Sequence, residues 1–194
     1  MRRLALLLAL IACEPKKDVP PASTSSSPLA TGAGLSSCGE EIIREEGIGE
    51  LRIGTSVELL RQKCKIIRDT TVTGAEGMPA RKVAVALSRD TVEVEIVDGK
   101  VWRIAVKSPG LRTADVISVG TMIGRLRQLK EPRGMTGEGQ LFLASPQHCG
   151  LSFRLSGAGP RGQRGDLDRA GLFGLPEMTV VSEILVVGCH GGTE

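Results

Sequence analysis

Apolar residues along this chain recur at two spacings, and one helical stretch is written twice. Ile53 to Gln62 reads IGTSVELLRQ, and Val119 to Gln128, sixty-six positions later, reads VGTMIGRLRQ. Gly54, Thr55, Leu60, Arg61 and Gln62 return as Gly120, Thr121, Leu126, Arg127 and Gln128. Each copy is a glycine-threonine turn followed by apolar residues at helical spacing, so each is predicted to start a helix that opens one α-β unit. In the first copy Val57, Leu60 and Cys64 form a single stripe. Thr55 with Glu58 three residues on is a capping-box arrangement, and the helix is expected over Ser56 to Lys65. In the second copy Thr121 is expected to cap a helix whose inner face carries Met122, Leu126 and Leu129, with Pro132 ending it. The repeated Arg-Gln pair reads as polar surface on the outer helical face.

Elsewhere the period is two. Strands are predicted over Lys65 to Thr73, Arg81 to Ser88 and Thr91 to Val97, the last with Val92, Val94 and Ile96 on one face and Glu93 and Glu95 on the other. A turn at Arg89-Asp90 would pair Leu87 with Val92, Val85 with Val94 and Val83 with Ile96. Asp98-Gly99 is ordinarily a two-residue hairpin signal. That register would set Val94 against Arg103 and Glu95 against Trp102, and a one-residue slip exchanges the faces. A three-residue loop, Val97 to Gly99, instead pairs Val94 with Trp102, Val92 with Ile104 and Glu93 with Arg103, and predicts Trp102 packed against the repeated helices. Gly39 to Glu46 reads as a short helix ended by Gly47, and Gly49 to Ile53 as an extended run.

In the second half, Gln140 to Ser145 and Cys149 to Ser156 read as strands, the latter with Leu151, Phe153 and Leu155 inward. Thr179 to Cys189 reads as a strand with Val181, Leu185 and Val187 on one face, interrupted by Glu183. The expected class is α+β: two tandem helix-plus-antiparallel-sheet units, 38–110 and 111–194, forming one domain. Gly157 to Met178 is far longer than a hairpin needs. Its apolar Leu172, Phe173 and Leu175 are either a partner contact or a flap folded back over the sheet edge.

The N-terminus follows another logic. Arg2 and Arg3 precede an unbroken apolar run from Leu4 to Ala12, the layout of an export signal and too short to span a bilayer in helix. Leu10-Ile11-Ala12-Cys13 resembles the bacterial lipobox, and the resemblance implies that Cys13 is lipidated and becomes the mature N-terminus, with diacylglycerol and an N-acyl chain giving stable anchoring. Residues 1–12 are then signal, and 13–37, rich in Pro, Ser, Thr, Ala and Gly, a lipidated cysteine and disordered tether. Without the signal the chain carries 23 basic and 22 acidic residues. Near-neutrality and so few aromatics (Trp102, Phe142, Phe153, Phe173) argue against a nucleic-acid partner.

Four cysteines remain in a chain with an export signal, so two disulfides are expected. Of the three pairings, Cys38 with Cys64 and Cys149 with Cys189 keep each bridge within one unit. The alternative is zinc held by His148, Cys149, Cys189 and His190; neighbouring His-Cys residues on a strand point to opposite faces, which favours the disulfide. No CxxC, GxSxG, P-loop or HExxH occurs, and neither histidine has an evident nucleophile or carboxylate companion in the sequence, so no enzyme and no cofactor are expected.

The glycine-threonine turn, short helix and following strands, duplicated at Gly54-Thr55 and Gly120-Thr121, with Leu129 and Pro132 in the second exit, resemble the tandem α-β fold of the β-lactamase inhibitor protein and of the SmpA/OmlA envelope lipoproteins. The resemblance implies that fold and, by analogy, a non-catalytic, protein-binding role. The expected function is a cell-envelope lipoprotein, held to a bacterial membrane by its lipid, that binds an envelope protein as scaffold, assembly factor or inhibitor. The alternative is an envelope lipoprotein that binds a small molecule or metal.

Overall fold

A computed structural model of the chain describes residues 38–73, 77–88, 90–137, 139–157, 165–167 and 169–189. Residues 1–37, over which a signal, a lipidated Cys13 and a tether are expected, lie outside the described residues, as does His190.

The chain opens with three short strands, β1 (Ile42–Arg44), β2 (Gly47–Ile48) and β3 (Leu51–Arg52), then α1 (Val57–Lys63) and a meander of β4 (Lys65–Thr73), β5 (Pro79–Ala86), β6 (Thr91–Val97) and β7 (Lys100–Val106). After β8 (Arg112–Thr113) come α2 (Ile123–Leu126), β9 (Arg133–Gly137), β10 (Gln140–Ala144), a 3-10 turn at Pro146–His148, β11 (Leu151–Leu155), β12 (Gly165–Leu167), α3 (Arg169–Phe173) and β13 (Val181–Val186). Nine strands make one antiparallel sheet in the order β12-β9-β10-β11-β13-β7-β6-β5-β4. A small sheet, β3-β2-β1-β8, stands apart from it. With helices of seven, four and five residues, the α+β fold is dominated by its sheet.

One face of the large sheet is the core. Val83, Val85, Val92, Val94, Ile104, Val106, Leu141, Leu143, Phe153, Ile184 and Val186 join Val57 and Leu60 of α1, Ile123 and Leu126 of α2, and Ile43, Ile48 and Leu51 of the small sheet in a single buried cluster. Burying a side chain of this size is worth about 1.5–3 kcal/mol. The helices are therefore held by the sheet beneath them, since helices this short are not stable alone.

The sequence repeat reappears as a repeated set of backbone bonds. Gly54 N–H donates to Val101 O and Gly120 N–H to Val181 O, both at 2.8 Å. Val101 N–H returns to Thr55 O and Val181 N–H to Thr121 O, both at 2.9 Å. Val57 N–H reaches Gly99 O and Ile123 N–H reaches Thr179 O. Both glycines have positive φ, 81° and 92°, which only glycine adopts cheaply. The strands so clasped, β7 and β13, are neighbours, pairing Ile104 with Val186, Ala105 with Leu185 and Val106 with Ile184. Each also carries an extra residue near its start: the β6–β7 register shifts between Glu95 and Ile96, making Trp102 the extra residue, and the β11–β13 register shifts between Arg154 and Leu155, making Ser182 the extra residue.

Several expectations are corrected. Gly39 to Glu46 is not helical: Ile43 and Ile48 pair across β1–β2, and all three apolar anchors of the small sheet are buried. Ser56, not Thr55, caps α1, its Oγ accepting from Leu59 N–H at 3.3 Å. Met122 is exposed and Ile123 takes its place in the second stripe, because α2 begins one residue later than expected. Leu87 N–H donates to Asp90 O, and the β5–β6 pairing is slid by two residues, to Val85 with Val92 and Val83 with Val94, without changing faces.

At Asp98-Gly99 the hairpin is two-residue after all, both residues at positive φ, with Val97 paired to Lys100. The face conflict is resolved by the bulge, which restores Val94 opposite Ile104 and puts Glu95 opposite Arg103. Trp102, the extra residue, is 51% exposed and not in the core. Leu151 pairs with Val186 and Phe153 with Ile184, one residue from the register that the Cys149–Cys189 pairing would set, and the second bulge shifts the phase after Val181, so Ile184 and Val186 face inward and Glu183 and Leu185 outward. The long segment after Gly157 contains β12, which pairs with β9, and α3.

Candidate functional site

The alternation that buries one face of the sheet aims charge from the other. There, outward positions of six strands line a trough of 310 Å³. Its apolar lining is Ala105 and Leu185, which are cross-strand partners at the β7–β13 junction, with Phe142 of β10. Around them the charges are paired: Lys82 with Glu93 at 2.8 Å, Arg103 with Glu95, and Arg154 with Glu183 at 2.9 Å. Lys107 lies between Glu93 at 3.8 Å and Glu183 at 3.6 Å, and Arg154 also donates to Gln140 Oε1 at 2.9 Å.

The two bulged positions carry the same bridge with its sign inverted. On β7 the cation, Arg103, faces the anion Glu95 on β6; on β13 the anion, Glu183, faces the cation Arg154 on β11. Half-exposed pairs of this kind contribute about 0–1 kcal/mol each to stability. Their arrangement therefore matters more for what can lie against them. Glu183 is nearly buried, so its carboxylate depends on Arg154 more than the others depend on their partners. The Lys82 ammonium bonded to Glu93, with Lys107 and Arg68 nearby, holds that carboxyl below its usual range against the opposing pull of burial. Each acid in the trough already has a cation beside it.

The residues singled out from sequence lie elsewhere. Cys38 is bonded to Cys64 and Cys149 to Cys189, with Cα separations of 4.7 and 5.2 Å. The first bridge is buried; Cys149 of the second is exposed. Of the four ligands of the zinc alternative, Cys149 and Cys189 are bonded to each other, the His148 ring is turned to Asp115, and His190 lies outside the described residues. His148 Nε2 is 3.1 Å from Asp115 Oδ2, and the ring stands edge-on to Phe153 with centroids 5.8 Å apart. Burial, the largest influence on Asp115, raises its carboxyl, but the Thr113 hydroxyl and the His148 ring more than reverse this and hold it below its ordinary value. His148 thus has a carboxylate companion that no local spacing announced. Among the described residues no group of three or more metal-ligating side chains is assembled.

Of the apolar trio after β12, Leu172 is wholly buried, its Cδ1 within 3.5 Å of where a side chain on Gly134 would begin, and it is withdrawn as a contact residue. Leu175 packs against the core and Phe173 is 44% exposed. Both are held by Arg127, whose guanidinium lies 5.7 Å over the Phe173 ring, donates to Leu175 O at 2.6 Å and pairs with Glu177. Arg61, its counterpart in the repeat, is a surface residue bonded to Asp69 at 2.7 Å. The outer-face reading therefore describes Arg61 and fails for Arg127.

Lys82, Lys107 and Arg154 carry no local signal, and Glu183 shows in the sequence only as an interruption of an apolar face. Glu93, Glu95 and Arg103 were visible as outward positions, but their gathering into one trough depends on β7 pairing with β13, which no local pattern announces.

No family model matches the sequence, and no curated protein does. Among solved structures, the crystal structure of the uncharacterized protein yfeY from Escherichia coli is similar: it is 20% identical over 75% of this chain and 98% of that one, with a TM-score of 0.55. At that identity the likeness concerns the fold alone.

Proposed function

We propose that this chain is a non-catalytic cell-envelope lipoprotein that binds another protein, and that it does so through the outward face of its large sheet. The observation that carries the reading is the trough: a broad, open surface with a small apolar centre at Ala105, Leu185 and Phe142, ringed by side chains of both signs. Such alternation suits recognition of a complementary protein surface, where charge order sets register and an apolar centre supplies burial.

The envelope placement is supported by Arg2, Arg3, the apolar run to Ala12 and the Leu10 to Cys13 motif. Two disulfides fit an oxidising compartment. The repeated clasp of Gly54-Thr55 on β7 and Gly120-Thr121 on β13 supports a tandem arrangement in which each half contributes one wall of the trough. It also supports the analogy with the β-lactamase inhibitor protein and the SmpA/OmlA lipoproteins, from which the protein-binding role is taken.

The test is a photo-crosslinking residue at Leu185 in the full-length protein, activated in native cells. The reading expects a discrete crosslink to one envelope protein, absent when the residue is placed at a core position such as Ile184. Labelling of no protein, or of many without preference, rejects it.

A further inference from the structure

The large sheet ends on one side in its longest strand. β4 runs nine residues, Lys65–Thr73, and bonds only to β5; among the described residues nothing reaches the backbone groups on its outer side. The opposite end of the sheet is β12, three residues long. A long open edge is a template for an added strand, and proteins that must avoid this blunt the edge with bulges or charge. In β4 the bulge falls early, at Ile67, so Arg68 to Thr73 pairs regularly with β5 and is open along its whole outer side. Thr70, Thr71, Val72 and Thr73 are residue types that favour strands.

The edge has a charge of its own. Asp69 is the only acid in β4, and its carboxylate is taken by Arg81, at 2.9 and 2.7 Å, and by Arg61 at 2.7 Å. Neither Lys65 nor Arg68 is within ion-pair distance of an acid among the described residues, although Arg68 is close enough to Glu93 to help lower its carboxyl. Arg68, Thr70 and Val72 share one face of β4, and on the β5 side that face continues into a groove of 470 Å³ that also takes in Lys82 and Glu93. Ile67 and Val72, 51% and 38% exposed, supply apolar contact.

We infer that the outer edge of β4 takes up an extended, acidic segment of a partner protein as an additional strand, its carboxylates beside Lys65 and Arg68. A second copy of this chain fits less well. Antiparallel self-pairing in any register brings two more cations to the seam, and the one acid of each strand, Asp69, is already taken by Arg61 and Arg81. The inference rests on the protein-binding reading and names the chemistry of one partner segment.

The test uses the full mature protein and two synthetic peptides as long as β4, one alternating Glu with Val and Thr, the other with Lys in place of each Glu. Amide hydrogen exchange is followed across the sheet. The acidic peptide is expected to slow exchange at β4 and to bind more weakly as salt rises. Lys65→Glu with Arg68→Glu should weaken it by at least about tenfold, and Lys65→Gln with Arg68→Gln by less, with the circular dichroism of both variants unchanged. Equal binding of the lysine peptide overturns the inference, as does the absence of protection at β4. Protection that rises with protein concentration alone overturns it in favour of self-pairing. None of these outcomes alters the Leu185 crosslink, so the two readings fail separately.

Discussion

Replacing Arg127 with methionine measures how the segment after α3 is held down. The arginine makes one charged hydrogen bond to Leu175 O, at 2.6 Å, and one cation-π contact with Phe173; its ion pair is to Glu177, a largely exposed acid. Its Nε is buried without a partner. Losing the hydrogen bond costs about 2 kcal/mol, and losing the cation-π contact about 0.5–1. The Glu177 pair adds little, because one partner is in water. Against these, methionine fills similar space and removes the unpaired Nε, which returns about 1–2 kcal/mol. The net destabilisation is then about 1 kcal/mol, read as a lower urea midpoint with unchanged slope. Locally the effect is larger: Leu175 and Thr179 amides should exchange faster while those of β5 and β6 do not. A loss above about 4 kcal/mol, a size reserved for severe lesions, would refute this reasoning, and so would unchanged exchange at 174–179.

Other consequences can be checked directly. Trp102 is the only tryptophan, so native fluorescence should be solvent-like and open to quenching by iodide; a blue-shifted, unquenched emission would place it in the core and contradict the bulge. A mild thiol reductant should open Cys149–Cys189 before Cys38–Cys64, since only the former presents an exposed cysteine; the reverse order, found by differential alkylation, argues against this packing. The loops closed, with sequence separations of 26 and 40, are similar enough that removing either bridge should cost about 3–4 kcal/mol. The Asp115 carboxyl is held below its ordinary value, so its stabilising contribution is complete above the unfolded value of about 3.9 and disappears as pH falls through the lower folded value. Asp115→Asn should therefore lower stability at neutral pH and flatten the acid limb of urea midpoints; a limb of unchanged steepness contradicts the assignment.

The parts of the fold that could be read in advance are those in which the local period is uninterrupted. The Gly54-Thr55 and Gly120-Thr121 turns, the Val57-Leu60-Cys64 stripe and the valines of β6 announced themselves because nothing shifts their phase. Trp102 was misjudged because a bulge adds one residue, and period-two reading has no way to tell an inserted residue from an odd loop. The same cause moved Leu185 from the expected core face to the trough. Gly39 to Glu46 has helical composition, yet its isoleucines are used two or three residues at a time in a small sheet that exists only because β8 and the core are there to receive it. The trough combines both difficulties: each of its charges is an ordinary outward residue, and only long-range pairing of β7 with β13 makes them neighbours.

A charge swap at the β11–β13 bridge tests the central claim, that the outward sheet face recognises a partner by the order of its charges. Arg154→Glu combined with Glu183→Arg keeps the internal pair and reverses its orientation. The account predicts a protein that keeps the parent's circular dichroism but is less stable, because the swap sets a cation at the buried Glu183 position beside Lys107, and that no longer forms the Leu185 crosslink. A crosslink of undiminished yield in the swapped protein would contradict it.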